Sequence, residues 1–88
     1  MAQDSGASLQ TVEKAIEVLQ DVVAAPTPVG VTEVARRLGI NPSTTYRILN
    51  TFKAYNLVEQ EEHTSRYRPA IGLLRLCGPA LASFDLRR

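Results

Sequence analysis

The chain has 88 residues, 44% hydrophobic and 22% charged, with 10 Lys and Arg against 9 Asp and Glu for a formal charge of +1. These proportions exclude a disordered tail and a fibrous protein, hold the chain to one domain, and leave no run near the ~18 apolar residues of a membrane span. A domain this short buries only about 60–65% of its unfolded surface, so a partner that adds burial is expected. The single Cys77 has no disulfide mate and makes no metal cluster with the lone His63. No cofactor and no metal are therefore expected, and a reducing, cytoplasmic setting is the default. Met1 to Ser8, polar and lacking an apolar run, does not read as a signal peptide.

The small total hides an uneven distribution. Residues 1–33 hold Asp4, Glu13, Glu17, Asp21 and Glu33 against one base, Lys14. From Val34 to Val58 there are Arg36, Arg37, Arg47 and Lys53 and no acid. For a charged partner the local sign matters more than the sum.

In chain order, residues 1–10 read as a flexible lead-in, and Thr11 as the N-cap of a first helix to about Ala24. Its apolar set, Val12, Ala15, Ile16, Val18, Leu19, Val22 and Val23, spans roughly 160° of one face. That is wider than one packing partner needs and points to a second, intermolecular contact. The acids of this helix take the solvated side. Pro26-Thr27-Pro28 stops it. A short strand is possible at Val29 to Val31, and Thr32 is expected to cap a second helix, Glu33 to Leu38, with Arg36 and Arg37 outward. Gly39 suits the left-handed stop. Asn41-Pro42 gives an N-cap followed by a proline at N1, which opens a third helix to about Tyr55, with Asn56 as its stop. Two helices joined by Gly39-Ile40-Asn41 form a helix-turn-helix over about 31–50. Leu57 to Gln60 and Arg66 to Arg68 read as a hairpin across His63-Thr64-Ser65, ended by Pro69. Ile71 to Cys77 reads as a fourth helix, weakened by Gly72 and closed by Gly78-Pro79, with Cys77 buried; the tail to Arg88 continues as helix or simply ends. The fold class expected is mainly α (α+β): a winged helix-turn-helix with three helices, a two-stranded wing and a C-terminal helix. The domain proper covers 11–78, and 79–88 begins a linker.

At about 100° per residue, Thr45, Ile48, Leu49, Phe52 and Tyr55 of the third helix share an inward face. Ser43, Tyr46, Arg47, Asn50 and Ala54 lie opposite, with Lys53 alongside. That outward face carries no acid. Arg pairs bidentately with guanine and Asn with adenine, so Arg47 and Asn50 are the expected base readers, with Ser43 and Thr44 near a base edge or the backbone. The same polarity would also suit an ordinary solvated helix; the helix-turn-helix and the hairpin around it tip the balance toward double-stranded DNA. Weaker phosphate or wing candidates are Lys14, Thr32, Lys53, Thr64, Ser65 and Arg66. Tyr67 is expected in the core. With no second histidine, no glycine-rich phosphate loop and no carboxylate pair facing a cleft, no enzyme is expected. The rival class is a winged helix used for protein–protein contact or dimerisation. An RNA partner is disfavoured by the shortage of exposed aromatics for stacking.

The runs from Leu9 to Leu19 (LQTVEKAIEVL) and from Val31 to Leu49 (VTEVARRLGINPSTTYRIL), followed by Tyr55-Asn56-Leu57-Val58 and Arg66 to Pro69, resemble the DNA-binding domains of the IclR family of regulators. The resemblance covers about residues 9–78. It implies a transcriptional regulator that dimerises and reads a palindromic operator; the surplus apolar stripe makes the first helix and the C-terminal segment the expected pairing surface. The resemblance also implies DNA contacts at Ser43, Thr44, Tyr46 and Arg47, with Lys14 where the family usually has an arginine near DNA. Thr45 departs from the usual aliphatic residue, which is expected to weaken the core slightly, and Asn56 from a common glycine. The family's C-terminal effector-binding domain is not in this sequence, so the expectation is either an excised domain or a natural short form, the abrupt end after an apolar helix favouring excision, with any small-molecule effector acting only through a part absent here.

Overall fold

In the computed structural model the backbone of residues 2–84 and the side chains of residues 9–84 are described. Helix α1 (Ala2–Ala24) is followed by α2 (Val31–Leu38), α3 (Pro42–Ala54), β1 (Val58–Gln60), β2 (Tyr67–Pro69) and α4 (Ile71–Ser83). This is a winged helix-turn-helix. Val18 and Val22 of α1, Val34 of α2, Ile48 and Leu49 of α3, Val58 of β1 and Tyr67 of β2 are buried together, with Val29 and Ile40 from the connections. Burying such side chains is the main favourable term holding the three helices and the hairpin as one body.

The two helices of the helix-turn-helix start and stop as local chemistry requires. The Gly30 N–H donates to the Glu33 carboxylate at 3.1 Å, the glutamate half of a capping box, so α2 begins at Val31. Thr32 is thus inside the first turn and is not the cap; Gly30 lies before it, and Glu33 supplies the acceptor. Gly39 ends α2 at φ 69°, in the left-handed region. The Asn41 side chain accepts from the Ser43 N–H at 2.7 Å, and Pro42 occupies N1, as expected. Thr45 is fully buried, yet its hydroxyl donates to the Asn41 carbonyl at 3.1 Å, so the departure from an aliphatic residue leaves no polar atom stranded.

The wing pairs antiparallel, with Val58 opposite Pro69, Glu59 opposite Arg68 and Gln60 opposite Tyr67. The strand considered possible at Val29 to Val31 contracts to one bridge. Val29 and Tyr67 exchange both backbone hydrogen bonds, at 2.9 and 2.7 Å. Gly30 then turns the chain into α2.

Several expectations are corrected. Helix α1 does not begin at Thr11 but runs through it from Ala2, so Thr11 is not an N-cap and the expected lead-in is helical from residue 2. Nothing between Ala2 and Gln10 is a proline that would break the backbone ladder. Tyr55, expected inward, is exposed: α3 ends before it and the chain turns away. Asp21 is not merely solvated, because Arg37 donates to both of its carboxylate oxygens, at 3.0 and 2.6 Å. Helix α4 passes through Gly78-Pro79 to Ser83. A glycine before proline lacks the Cβ that makes the helical conformation crowded there, and the carbonyl opposite the missing N–H lies on an exposed helix where water reaches it. Cys77 is exposed, since α4 buries none of its residues. The last part of the expected tail, residues 85–88, lies outside the described residues.

Candidate nucleic-acid interface

Helix α3 presents Ser43, Tyr46 and Arg47 to solvent, while Thr45, Ile48 and Leu49 anchor it from behind. Two grooves flank it. The first, of about 410 Å³, lies between α1 and α3 and is lined by Thr11, Lys14, Thr44, Arg47 and Thr51 over an apolar floor of Ala15, Ile48 and Phe52. The second, of about 750 Å³, opens between the start of α2, Tyr46 of α3 and the wing. Its rim holds Thr32, Arg36, Tyr46, Thr64, Ser65 and Arg66. Of the expected contact residues, Lys14, Thr44 and Arg47 line the first groove and Thr32, Tyr46, Thr64, Ser65 and Arg66 the second, while Ser43, Asn50 and Lys53 line neither.

The cations in these sets differ in what they are free to do. Among the described residues, Lys14, Arg36 and Arg47 have no ion pair. Arg66 does: its Nη1 donates to the Pro28 carbonyl and to Glu33, each at 3.3 Å, which ties the wing tip back to the start of α2. Lys53 lines neither groove; its Nζ donates to Gln60 at 2.9 Å, and Gln60 in turn donates to the Ser65 carbonyl at 3.1 Å. Thr64 donates to Glu61 at 2.6 Å and accepts from the Arg66 N–H, while Ser65 sits at φ 60° at the turn. Asn50 is half-buried, its carbonyl oxygen accepting from the Tyr67 hydroxyl at 3.3 Å.

Three acids near the interface, Glu33, Glu59 and Glu61, are paired in place. Glu33 faces Arg37 at 3.5 Å and Arg66 at 3.3 Å. The Gly30 N–H above all, helped by these two arginines, holds its carboxyl below the ordinary carboxylate range against the opposing effect of burial. Glu59 and Glu61 both pair with Arg68, at 2.6 and 3.1 Å, while Glu62, also on the hairpin, is exposed and in no ion pair among the described residues. The Glu59 hydrogen bond is also the main reason that guanidinium is raised further above its ordinary range.

Arg36 is the residue sequence reasoning placed outward but did not count as a contact. It lines the second groove with Thr32 and Tyr46. Its signal was available in the acid-free stretch, but only the fold shows that it, unlike its neighbour Arg37, is in no ion pair among the described residues.

An exposed, acid-free helix supported by a helix-turn-helix and flanked by a wing defines the DNA-binding winged-helix class. The IclR helix-turn-helix domain matches residues 11–62, more than half of the chain, and the chain belongs to that family of transcriptional regulators. The HTH-type transcriptional regulator KdgR of Dickeya chrysanthemi is 33% identical over 81 residues, covering 92% of this chain and 26% of that protein. The Thermotoga maritima IclR structure superposes with a TM-score of 0.75 at 26% identity, covering 90% of this chain and 32% of that one. An IclR transcriptional regulator from Alicyclobacillus acidocaldarius gives 0.77 at 28% identity, covering 86% and 31%. The chain therefore spans about a third or less of the length of these relatives.

Proposed function

We propose that this chain is the DNA-reading part of a transcriptional regulator, binding a palindromic operator in double-stranded DNA as a homodimer. One observation carries this: the solvent face of α3 is flanked by Lys14, Arg36 and Arg47, which are in no ion pair among the described residues. Uncommitted cations next to a groove-sized helix are what a phosphate backbone and a guanine edge require. Helix α3 enters the major groove, with Arg47 reading a base, Ser43, Thr44 and Tyr46 at base edges or backbone, and Asn50 one turn further on. Lys14, Thr32, Arg36 and Lys53 face phosphates, and Thr64, Ser65 and Arg66 bring the wing to the flank. The working compartment is the cytoplasm.

The pairing is supported by apolar surface that the single chain leaves uncovered. Leu9, Val12, Ile16 and Val23 are all about half exposed or more, and with half-buried Leu19 they alternate three and four residues apart along α1. That spacing is the seam of paired helices. Helix α4 adds Ile71, Leu74, Leu76 and Leu81. Two copies joined there set two α3 helices about 34 Å apart on one face of the duplex.

The test is selection of bound duplexes from a random pool, with affinity followed from low to moderate salt. An enriched palindrome and a linear fall of log K with log[salt] are expected. No motif and no salt slope would instead favour a winged helix that contacts only protein.

A further inference from the structure

Arg66, on the hairpin, is held by one nitrogen of its guanidinium. The Pro28 carbonyl and Glu33 Oε1 both meet Nη1, each at 3.3 Å. That nitrogen carries two hydrogens, one for each acceptor. A guanidinium only donates, and a carbonyl and an ionised carboxylate only accept, so the direction of both contacts is fixed. Nε and Nη2 have no partner among the described residues. In the planar fork the Nε–Nη2 edge lies across the central carbon from Nη1, so anchoring Nη1 turns that edge away from Glu33. Glu33 is itself fixed: its Oε1 also accepts from the Gly30 N–H at 3.1 Å, and its Oε2 lies 3.5 Å from Arg37.

The neighbouring arginines are committed differently. Arg37 gives Nε and Nη2 to the two oxygens of Asp21, at 3.0 and 2.6 Å, and Arg68 gives Nε to Glu59 at 2.6 Å. Arg37 shows what the edge takes: two oxygens of one anionic centre, which a backbone phosphate also offers. Arg66 keeps that edge open, half exposed on the rim of the groove shared with Thr32, Arg36 and Tyr46. An exposed ion pair adds little to stability; here it sets the direction of a long side chain. We propose that Glu33 is a positioning residue for DNA binding: with the Pro28 carbonyl it holds Arg66 by Nη1, so that the free Nε–Nη2 edge clasps one backbone phosphate beside the half-site. The inference rests on the DNA-binding function proposed above and deepens it by naming an acid that strengthens binding. An acid on a DNA-facing surface otherwise repels phosphate, so the sign of its effect is diagnostic.

The experiment is a double-mutant cycle on the whole chain: wild type, Glu33→Gln, Arg66→Ala and the double variant, titrated at several salt concentrations with the duplex enriched from the random pool. Arg66→Ala should weaken binding a few-fold and lower the salt slope by about 0.9 for each subunit. Glu33→Gln keeps an oxygen for the Gly30 N–H and removes a negative charge, yet should also weaken binding a few-fold. The double variant should bind as Arg66→Ala does, because nothing is left for Glu33 to position. Equal or tighter binding by Glu33→Gln would overturn the inference, since the acid would then merely repel DNA. The same loss from Glu33→Gln in wild type and in Arg66→Ala would overturn it too, by showing that the effect runs through the fold. If melting shows that Glu33→Gln does not fold, Arg66→Lys decides, because an ammonium keeps the charge but cannot be held by one nitrogen while presenting an edge. Weaker binding with an unchanged salt slope supports the inference, and unchanged affinity refutes it. Absence of any duplex binding by wild type defeats the DNA-binding proposal and this one with it.

Discussion

Gly72, in the first turn of α4, sits directly against the main-chain carbonyl of Asn56. A Cβ built on Gly72 would overlap the Asn56 oxygen and approach its carbonyl carbon to 2.9 Å and its Cβ to 3.0 Å. Asn56 itself is left-handed, at φ 63°, where the chain leaves α3 for the wing. The glycine that weakens α4 as an isolated helix is therefore what lets α4 dock on the turn after α3.

Gly72→Ala separates these two effects by sign. Helix propensity alone would stabilise by up to ~1 kcal/mol. Overlap with rigid backbone should instead cost about 1–3 kcal/mol and displace the start of α4. A urea midpoint below that of wild type is expected; an equal or higher midpoint would show that α4 does not rest there.

Thr45→Val should be neutral or stabilising by up to ~1 kcal/mol. The hydroxyl is buried, and its acceptor, the Asn41 carbonyl, also receives the Thr45 N–H at 2.9 Å, so valine leaves that carbonyl satisfied. A clear loss of melting temperature would mean that the hydroxyl hydrogen bond outweighs the cost of burying it.

The Glu33 network gives a pH dependence. Its carboxyl titrates below the ordinary value of 4.5 in the folded chain, chiefly because of the Gly30 N–H. A depressed folded value means that the folded state binds fewer protons than the unfolded one. The contribution is thus complete above 4.5 and is lost as the pH falls through the lower, folded value. Urea midpoints of wild type and Glu33→Gln should differ at pH 7 and converge toward pH 3; a constant gap would show that the charge plays no part.

Arg47 and Lys14 line the same groove but should fail differently. Arg47→Ala should cost about 1–3 kcal/mol of operator affinity and relax preference at one base pair per half-site. Lys14→Ala should weaken operator and scrambled duplexes alike and reduce the salt slope by about 0.9 for each subunit. Fluorescence titration on both duplexes at several salt concentrations checks the pair, and exchanged behaviour would reverse the assignments.

Ile16→Asp places a charge on the apolar line of α1, at a side chain 51% exposed in the single chain. The fold of one copy should survive. Sedimentation equilibrium should then report a monomer where wild type reports a dimer, and operator affinity should fall with it, because two linked half-site contacts reinforce each other. An unchanged mass would move the pairing surface elsewhere.

The order of elements was legible from local chemistry alone: Asn41-Pro42 opens α3, Gly39 and Asn56 supply the left-handed stops, and the alternating run around Tyr67 builds the wing. The outward face of α3 followed from helical periodicity. What periodicity could not supply was which polar side chains already have partners. Arg36 and Arg37 are adjacent and equally outward in the sequence, but Asp21, 16 residues earlier, reaches only Arg37. Arg66 meets Glu33 across 33 residues and Asn50 meets Tyr67 across 17, because the turn after α2 and the hairpin fold distant segments together. The net charge of +1 therefore said little about partners, and its split along the chain said more. Composition and spacing determined the elements and their faces; long-range packing decided which charges and amides remain available to DNA, since a hydrogen bond or ion pair depends on distance in space and not in sequence.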